Sequence, residues 1–223
     1  MSLIVALCGG SASGKTQAVE YIKNHLSPEI LHIPHDSYYK DMSHLSLQER
    51  SDYNFDHPEC IENELLIEDL QKLKNNEAIY IPSYSYLNSK RSYPSLPVFA
   101  KPVILIDGLF LFTDKELREL FDYKIFIDAK ENIRVERCIE RDVKERGMTF
   151  DGVSEQIQRF KLPMHNKYVE PFKSHADSVI ENHINDIQAL EQQCLNLANQ
   201  VKQIVSGKTY QNLTSQTLTS NYI

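Results

Sequence analysis

Residues Gly9 to Thr16 read GGSASGKT and satisfy the spacing G-x-x-x-x-G-K-T. A polyphosphate carries several negative charges and needs donors at short range. Glycines let backbone N–H groups turn inward around phosphate oxygens. The loop residues Gly9, Gly10, Ser11, Ala12, Ser13 and Gly14 supply that backbone, and a helix N-terminus beyond them adds partial positive charge. Lys15 can reach the β- and γ-phosphates, and the Thr16 hydroxyl can ligate magnesium. A second SGKT, Ser206 to Thr209, has Lys202 where the first glycine belongs and is a decoy.

Three acids follow short apolar runs: Asp36, Asp107 and Asp128. In an open parallel sheet, ligands bind beyond the carboxyl ends of the strands. Asp107, in ILIDG, suits an acid that holds magnesium directly or through water; the alternative is a turn residue before Gly108. Asp36 suits a base that accepts the proton of an attacking hydroxyl; the alternative is a helix N-cap. Asp128 reads as the structural cap of the next helix. Lys130, Arg134, Arg137 and Arg141 fall within about 60° on one face of a predicted helix, with Glu136 and Glu140 opposite. Such a stripe can face a transferring phosphoryl group, or be a solvated face laced with ion pairs.

These residues need elements to position them. Leu3–Leu7 is a continuous apolar run, as in a strand buried on both faces. A helix over Thr16–Leu26 follows the glycine turn. Ile30–Ile33, Val103–Ile106, Lys124–Ile127 and the short Val179–Ile180 are further strands. Helical spacing covers 61–74, 130–146, 154–168 and 186–204. Residues 37–60 show no clear period. Residues 79–101, with three prolines and four tyrosines, read as a hairpin or long loop. Strands alternating with helices predict an α/β fold with a parallel sheet flanked by helices. The expected organisation is one domain over 1–205, with a hairpin subdomain at 79–101 and a lid region at 130–165. A polar tail at 206–223 is expected to be loosely packed.

The chain has 223 residues and a net charge of -7. That balance argues against nucleic acid or an anionic membrane as partner. Cys8, Cys60, Cys138 and Cys194 are scattered, without a C-x-x-C pair, and suit a reducing cytoplasm rather than zinc or disulfides. No apolar stretch approaches membrane-spanning length.

The motifs GGSASGKT, HDSYYKD, YNFDHP, IPSYSY, IDGLF, ERDVKERG and YVEPFKSHAD occur in this order between about residues 3 and 190. Together they are similar to those of the uridine kinase (uridine–cytidine kinase) family. The resemblance implies a P-loop fold with a β-hairpin over the nucleoside and an arginine-bearing lid. It implies ATP-Mg as donor, a pyrimidine nucleoside as acceptor of a phosphate on its 5′-hydroxyl, and a homo-oligomer, usually a tetramer. Asp36 would be the base, and Asp56, in NFDHP, the residue on the ribose hydroxyls. Tyr38 and Tyr84 would lie in the nucleoside pocket, Arg141 and Arg146 would be lid arginines, and Gln156 a polar contact. Ser89 stands where the family usually has a base-reading histidine. Cys138 and Met148 stand at usual lid arginines, leaving Arg134 or Arg137 to compensate, and Asp107 replaces a glutamate. A kinase for another nucleoside or small hydroxylated metabolite, and a weakly catalytic ATP-binding regulator, are the alternatives. A regulatory GTPase is disfavoured, because no N-K-x-D motif is present.

Overall fold

The computed structural model describes residues 2–184 and 186–219, with side chains described as far as Gly207 except at Leu47 and Ser51. At its centre lies β1 (Leu3–Gly9), buried along its whole length. Helix α1 (Lys15–Leu26) follows, then β2 (Ile30–Pro34) and a 3-10 turn over His35–Tyr38. Two helices, α2 (Leu47–Asp52) and α3 (Asn63–Lys74), precede a two-stranded hairpin of β3 (Ser83–Ser85) and β4 (Lys90–Ser92). Then come β5 (Val103–Gly108), α4 (Lys115–Glu119), β6 (Tyr123–Asp128) and α5 (Glu131–Lys144). Helix α6 (Phe150–Gln156), a π turn over Ile157–Lys161 and α7 (Leu162–Tyr168) form one continuous helical segment. The chain closes with β7 (Ser178–Glu181) and α8 (Ile187–Thr219).

The main sheet is parallel with strand order β2-β5-β1-β6-β7. Side chains alternate across it. Ile4, Ala6 and Cys8 join Ile104, Ile106 and the apolar face of α3. Leu3, Val5 and Leu7 join Ala18, Val19 and Ile22 of α1 and Leu190, Cys194 and Leu197 of α8. Both faces are therefore covered, which explains why the central strands read as unbroken apolar runs. Each fully buried leucine or isoleucine contributes roughly 1.5–3 kcal/mol relative to exposure. All four cysteines are buried and unpaired.

Register sets the site. Leu7 pairs with Asp107 and Cys8 with Gly108; Pro34 also pairs with Asp107. Three adjacent strands thus end at one level, and the glycine loop, Asp36 and Asp107 all emerge there.

Several elements differ from the sequence-based expectation. The unpatterned 37–60 segment contains α2, started by a capping box between Ser46 and Glu49. The hairpin within 79–101 is only three residues per strand, extended by an Ile79–Val98 bridge. The last helix, expected to end at 204, runs on to Thr219 and takes in most of the segment read as a loose tail, since no proline interrupts it. Its decoy SGKT lies inside this helix. The tail's last residues, 220–223, lie outside the described residues. Among the described residues, no helix is long and apolar enough to cross a membrane.

Candidate active site

The loop from Gly9 to Lys15 bridges the buried end of β1 and the start of α1. Gly14 is the N-cap of α1 with φ 103°, a conformation that a residue with a Cβ rarely adopts. A Cβ there would also lie 2.4 Å from Asn182 Nδ2, and that amide donates to the Ser13 carbonyl at 2.8 Å. Lys15 Nζ donates to the carbonyls of Gly9 and Gly10, both at 2.9 Å. Burial pushes the Lys15 ammonium below its usual range, and Arg141 adds to that, while Asp107 and Asp36 oppose it. Ser13 Oγ is buried without a hydrogen-bond partner.

A cleft of about 920 Å³ opens beyond this loop. Ser11, Ala12, Gly14, Lys15 and Thr16 line one end, with Asp107 and Asp36 beside them. Asp56, Tyr84, Ser89, Arg141, Arg146 and Gln156 line the rest. Most residues predicted from sequence therefore meet in one cavity; Gly9, Gly10 and Ser13 are buried and do not line it. Gly108 is required for the convergence of the two acids: a Cβ there would sit 2.5 Å from the Cβ of His35, the residue before Asp36. Neither acid has the alternative role. The 3-10 turn is capped at Pro34, so Asp36 is no N-cap. Asp107 lies within β5, and its Oδ1 accepts from His32 Nε2 at 2.7 Å.

Tyr38 is a correction. It is fully buried, and its hydroxyl donates to Asp69 Oδ2 at 2.9 Å, on the far side of the turn from the cleft. A 3-10 turn has about three residues per turn, so Asp36 and Tyr38 point apart. Tyr39 takes the place at the cleft instead, stacked on Tyr84 with ring centroids 5.1 Å apart. Tyr38→Phe is expected to lower stability by about 1–3 kcal/mol, because buried Asp69 loses a donor, and to leave kinetic constants unchanged. Thermal melting beside steady-state kinetics checks this.

Asp128 is the second correction. The cap position of α5 is Lys130. The Asp128 carboxylate is instead taken by Lys173 and by His183 Nε2 at 3.2 Å, which come from distant parts of the chain. The basic stripe divides as well. Arg137 and Arg141 line the cleft, whereas Lys130 is exposed and Arg134 is buried, donating through Nε to the Ala129 carbonyl. Arg134 thus packs against Gly10 of the loop rather than lining the cleft, and Cys138 packs with Val153 and Ile157 in a small core.

Three contributors escaped the sequence reading. Tyr86 donates to Asp36 Oδ2 at 2.6 Å. Burial and the Asp36 charge raise its phenol far above the usual range, so it remains a donor. Its strand alternation with Tyr84 was the available signal. Among the described residues nothing hydrogen-bonds the other Asp36 oxygen, so Tyr86 orients the carboxylate without blocking it. Tyr86→Phe is expected to lower kcat about fivefold, the worth of one oriented hydrogen bond, with the KM for the phosphate donor unchanged. Asp142 is the second contributor. It is fully buried and sits at 2.8 Å from Arg141 Nε, 3.2 Å from Arg146 Nη1 and 3.4 Å from Lys161 Nζ. Burial works against its charge, but the Arg141 hydrogen bond and the three cations more than offset it and hold the carboxyl below the usual range. Lys161 itself is the third.

The hairpin is tied over the cleft from both sides. Arg91 Nη1 pairs with Glu62 Oε2 at 2.6 Å, and the Arg91 N–H donates to Asp41 Oδ2 at 3.2 Å. Ser89, at its turn, adopts φ 52° and lies in the cleft wall, and its carbonyl accepts the Met42 N–H at 2.8 Å.

Known proteins match this arrangement over most of its length. Residues 4–188 match the phosphoribulokinase / uridine kinase family. The uridine kinase of Bacillus cereus (strain B4264) is 42% identical over 187 residues, covering 82% of this chain and 88% of that protein. The uridine kinase of Geobacillus kaustophilus is 41% identical over 190 residues, covering 85% and 90%. Among solved structures, phosphoribulokinase from Rhodobacter spheroides superposes with a TM-score of 0.60 at 15% identity over 81% of this chain and 70% of that one, a likeness of fold. With the glycine loop, the two strand-end acids and the cleft in place, the chain belongs to the phosphoribulokinase / uridine kinase family.

Proposed function

We propose that this chain transfers the terminal phosphate of ATP to the 5′-hydroxyl of a pyrimidine nucleoside, uridine and also cytidine, as a pyrimidine salvage enzyme. The observation that carries this reading is the shared cleft in which Lys15, Asp36 and Asp107, at the ends of adjacent parallel strands, meet Asp56 from the loop after α2. Relatives bearing the name uridine kinase support the acceptor class.

The loop residues fit a triphosphate. The glycine positions leave no room for side chains, and the buried ammonium of Lys15 is parked on two carbonyls that phosphate oxygens can replace. The Thr16 hydroxyl and the Asp107 carboxylate are hard oxygen donors suited to magnesium, which when bound neutralises charge between the phosphates. Asp36 accepts the proton of the 5′-hydroxyl as that oxygen bonds to the terminal phosphorus and the bond to the ADP oxygen breaks. Lys15, Arg141 and Arg146 face the charge that develops in transit. Asp56 accepts hydrogen bonds from the ribose hydroxyls, with Tyr84 and Gln156 along the nucleoside. Ser89 in the base-reading place favours a second reading, in which the acceptor is another nucleoside or a small hydroxylated metabolite, because its short side chain offers a single hydroxyl.

The test is ADP release with ATP-Mg across a panel of pyrimidine nucleosides, purine nucleosides and sugars. Uridine and cytidine are expected to stimulate release most strongly and to yield 5′-monophosphates. Preferential turnover of a purine nucleoside or a sugar refutes the acceptor assignment.

A further inference from the structure

Gln156 and Lys161 both line the cleft, although they are five residues apart on one helical segment. In a regular α-helix, residues five apart are about 140° apart and cannot share a face. Here the intervening residues form a π turn over Ile157–Lys161, closed by a hydrogen bond from the Leu162 N–H to the Ile157 carbonyl. That i→i+5 bond brings residues five apart almost one above the other. An insertion of this kind interrupts regular helix bonding, and such turns are rare overall and frequent at functional sites.

The re-aimed side chain is a lysine. Its side chain is 12% exposed, and Nζ lies 3.4 Å from the Asp142 carboxylate, which is completely buried. Asp142 already has Arg141 and Arg146, so a third cation is not needed to neutralise it. Asp56, half-buried, lines the same cleft.

We propose that Lys161 is a positioning residue of the acceptor end of the cleft, set there by the π turn, braced by Asp142, and acting on the substrate through the Asp56 carboxylate. Burial alone pushes the Asp56 carboxyl upward, and Lys161 is the foremost of the charges that oppose this, ahead of Arg146 and Arg141, with Asp142 working the other way. This assignment rests on the proposed role of Asp56 toward the acceptor's hydroxyls.

The test is steady-state kinetics with uridine and ATP-Mg on wild type, Lys161→Met, Lys161→Arg, Asp56→Asn and the Asp56→Asn/Lys161→Met double variant. Methionine keeps the aliphatic stem and removes the charge. Lys161→Met is expected to raise the uridine KM about tenfold while kcat and the ATP KM stay within about twofold, the pattern of lost binding rather than lost chemistry. Lys161→Arg recovers the uridine KM to within about threefold. The double variant is no more than about twofold worse than Asp56→Asn, because the lysine works through that carboxylate. A uridine KM in Lys161→Met within about twofold of wild type overturns the proposal. So does an arginine variant as defective as methionine, which indicates packing, and so does full additivity with Asp56→Asn. Wild-type turnover that does not respond to any nucleoside overturns the functional reading itself, and with it the role of Lys161.

Discussion

Asp36→Asn is expected to lower kcat about a thousandfold, the middle of the range for loss of a positioned general base. The asparagine oxygen can still accept the Tyr86 hydroxyl, so the local geometry survives. Asp36 is exposed in the cleft, so the substitution buries no new polar group, and thermal stability should not change. The donor KM should change little, since among the described residues Asp36 makes no hydrogen bond or ion pair with the glycine loop and acts on Lys15 only through space. Rapid-quench or steady-state kinetics beside a melting curve checks all three. A loss below about tenfold means that another group takes the proton.

Lys15→Met is expected to lower kcat by about two to three orders of magnitude, the usual effect of removing one preorganised donor to a developing charge. Its stability effect has the opposite sign to that of a structural residue. Burial holds the Lys15 pKa down, so the folded state pays for keeping the ammonium charged. That penalty is fully present below the depressed folded pKa and vanishes only as pH rises past the ordinary lysine value. Removing the charge therefore relieves a cost at neutral pH, and the ligand-free melting temperature should not fall. Kinetics and melting at pH 7 measure both halves. A variant that is inactive and also much less stable points to collapse of the loop rather than loss of a catalytic cation.

Where local pattern and tertiary placement agree, the sequence was legible. β1 and β5 are buried on both faces, so their apolar runs declare them, and the glycine loop after β1, Asp107 near the end of β5 and Asp36 after β2 fall at one level because the strands are parallel and in register. The glycine loop is legible because its chemistry demands contiguous residues. The failures have equally physical causes. Tyr38 sits beside Asp36 in sequence, but a 3-10 turn sends the two side chains to opposite sides, one to the core and one to the cleft. Asp128 precedes a helix as a cap would, yet Lys173 and His183 claim it from 45 and 55 residues away. Arg134 lies on the predicted basic face, but that face runs beneath the loop before it reaches the cleft. Lys161 was invisible because a π turn shifts the helical phase, and a 3.6-residue period places it elsewhere. Asp142 was only half legible: Arg141 is its neighbour and Arg146 lies at i,i+4, but its burial and the approach of Lys161 come from the fold alone.

The central claim is spatial. Asp36 and the glycine loop line one cleft, and under the proposed function the acceptor's hydroxyl oxygen lies between them. The direct measurement is a crystal structure with uridine and a non-hydrolysable ATP analogue with magnesium. The account predicts the 5′-oxygen within about 2.6–3.2 Å of an Asp36 oxygen, and the terminal phosphate on Lys15 Nζ in place of the Gly9 and Gly10 carbonyls. A nucleoside bound elsewhere, with Asp36 still engaged only by Tyr86 and Lys15 still on its two carbonyls, contradicts it.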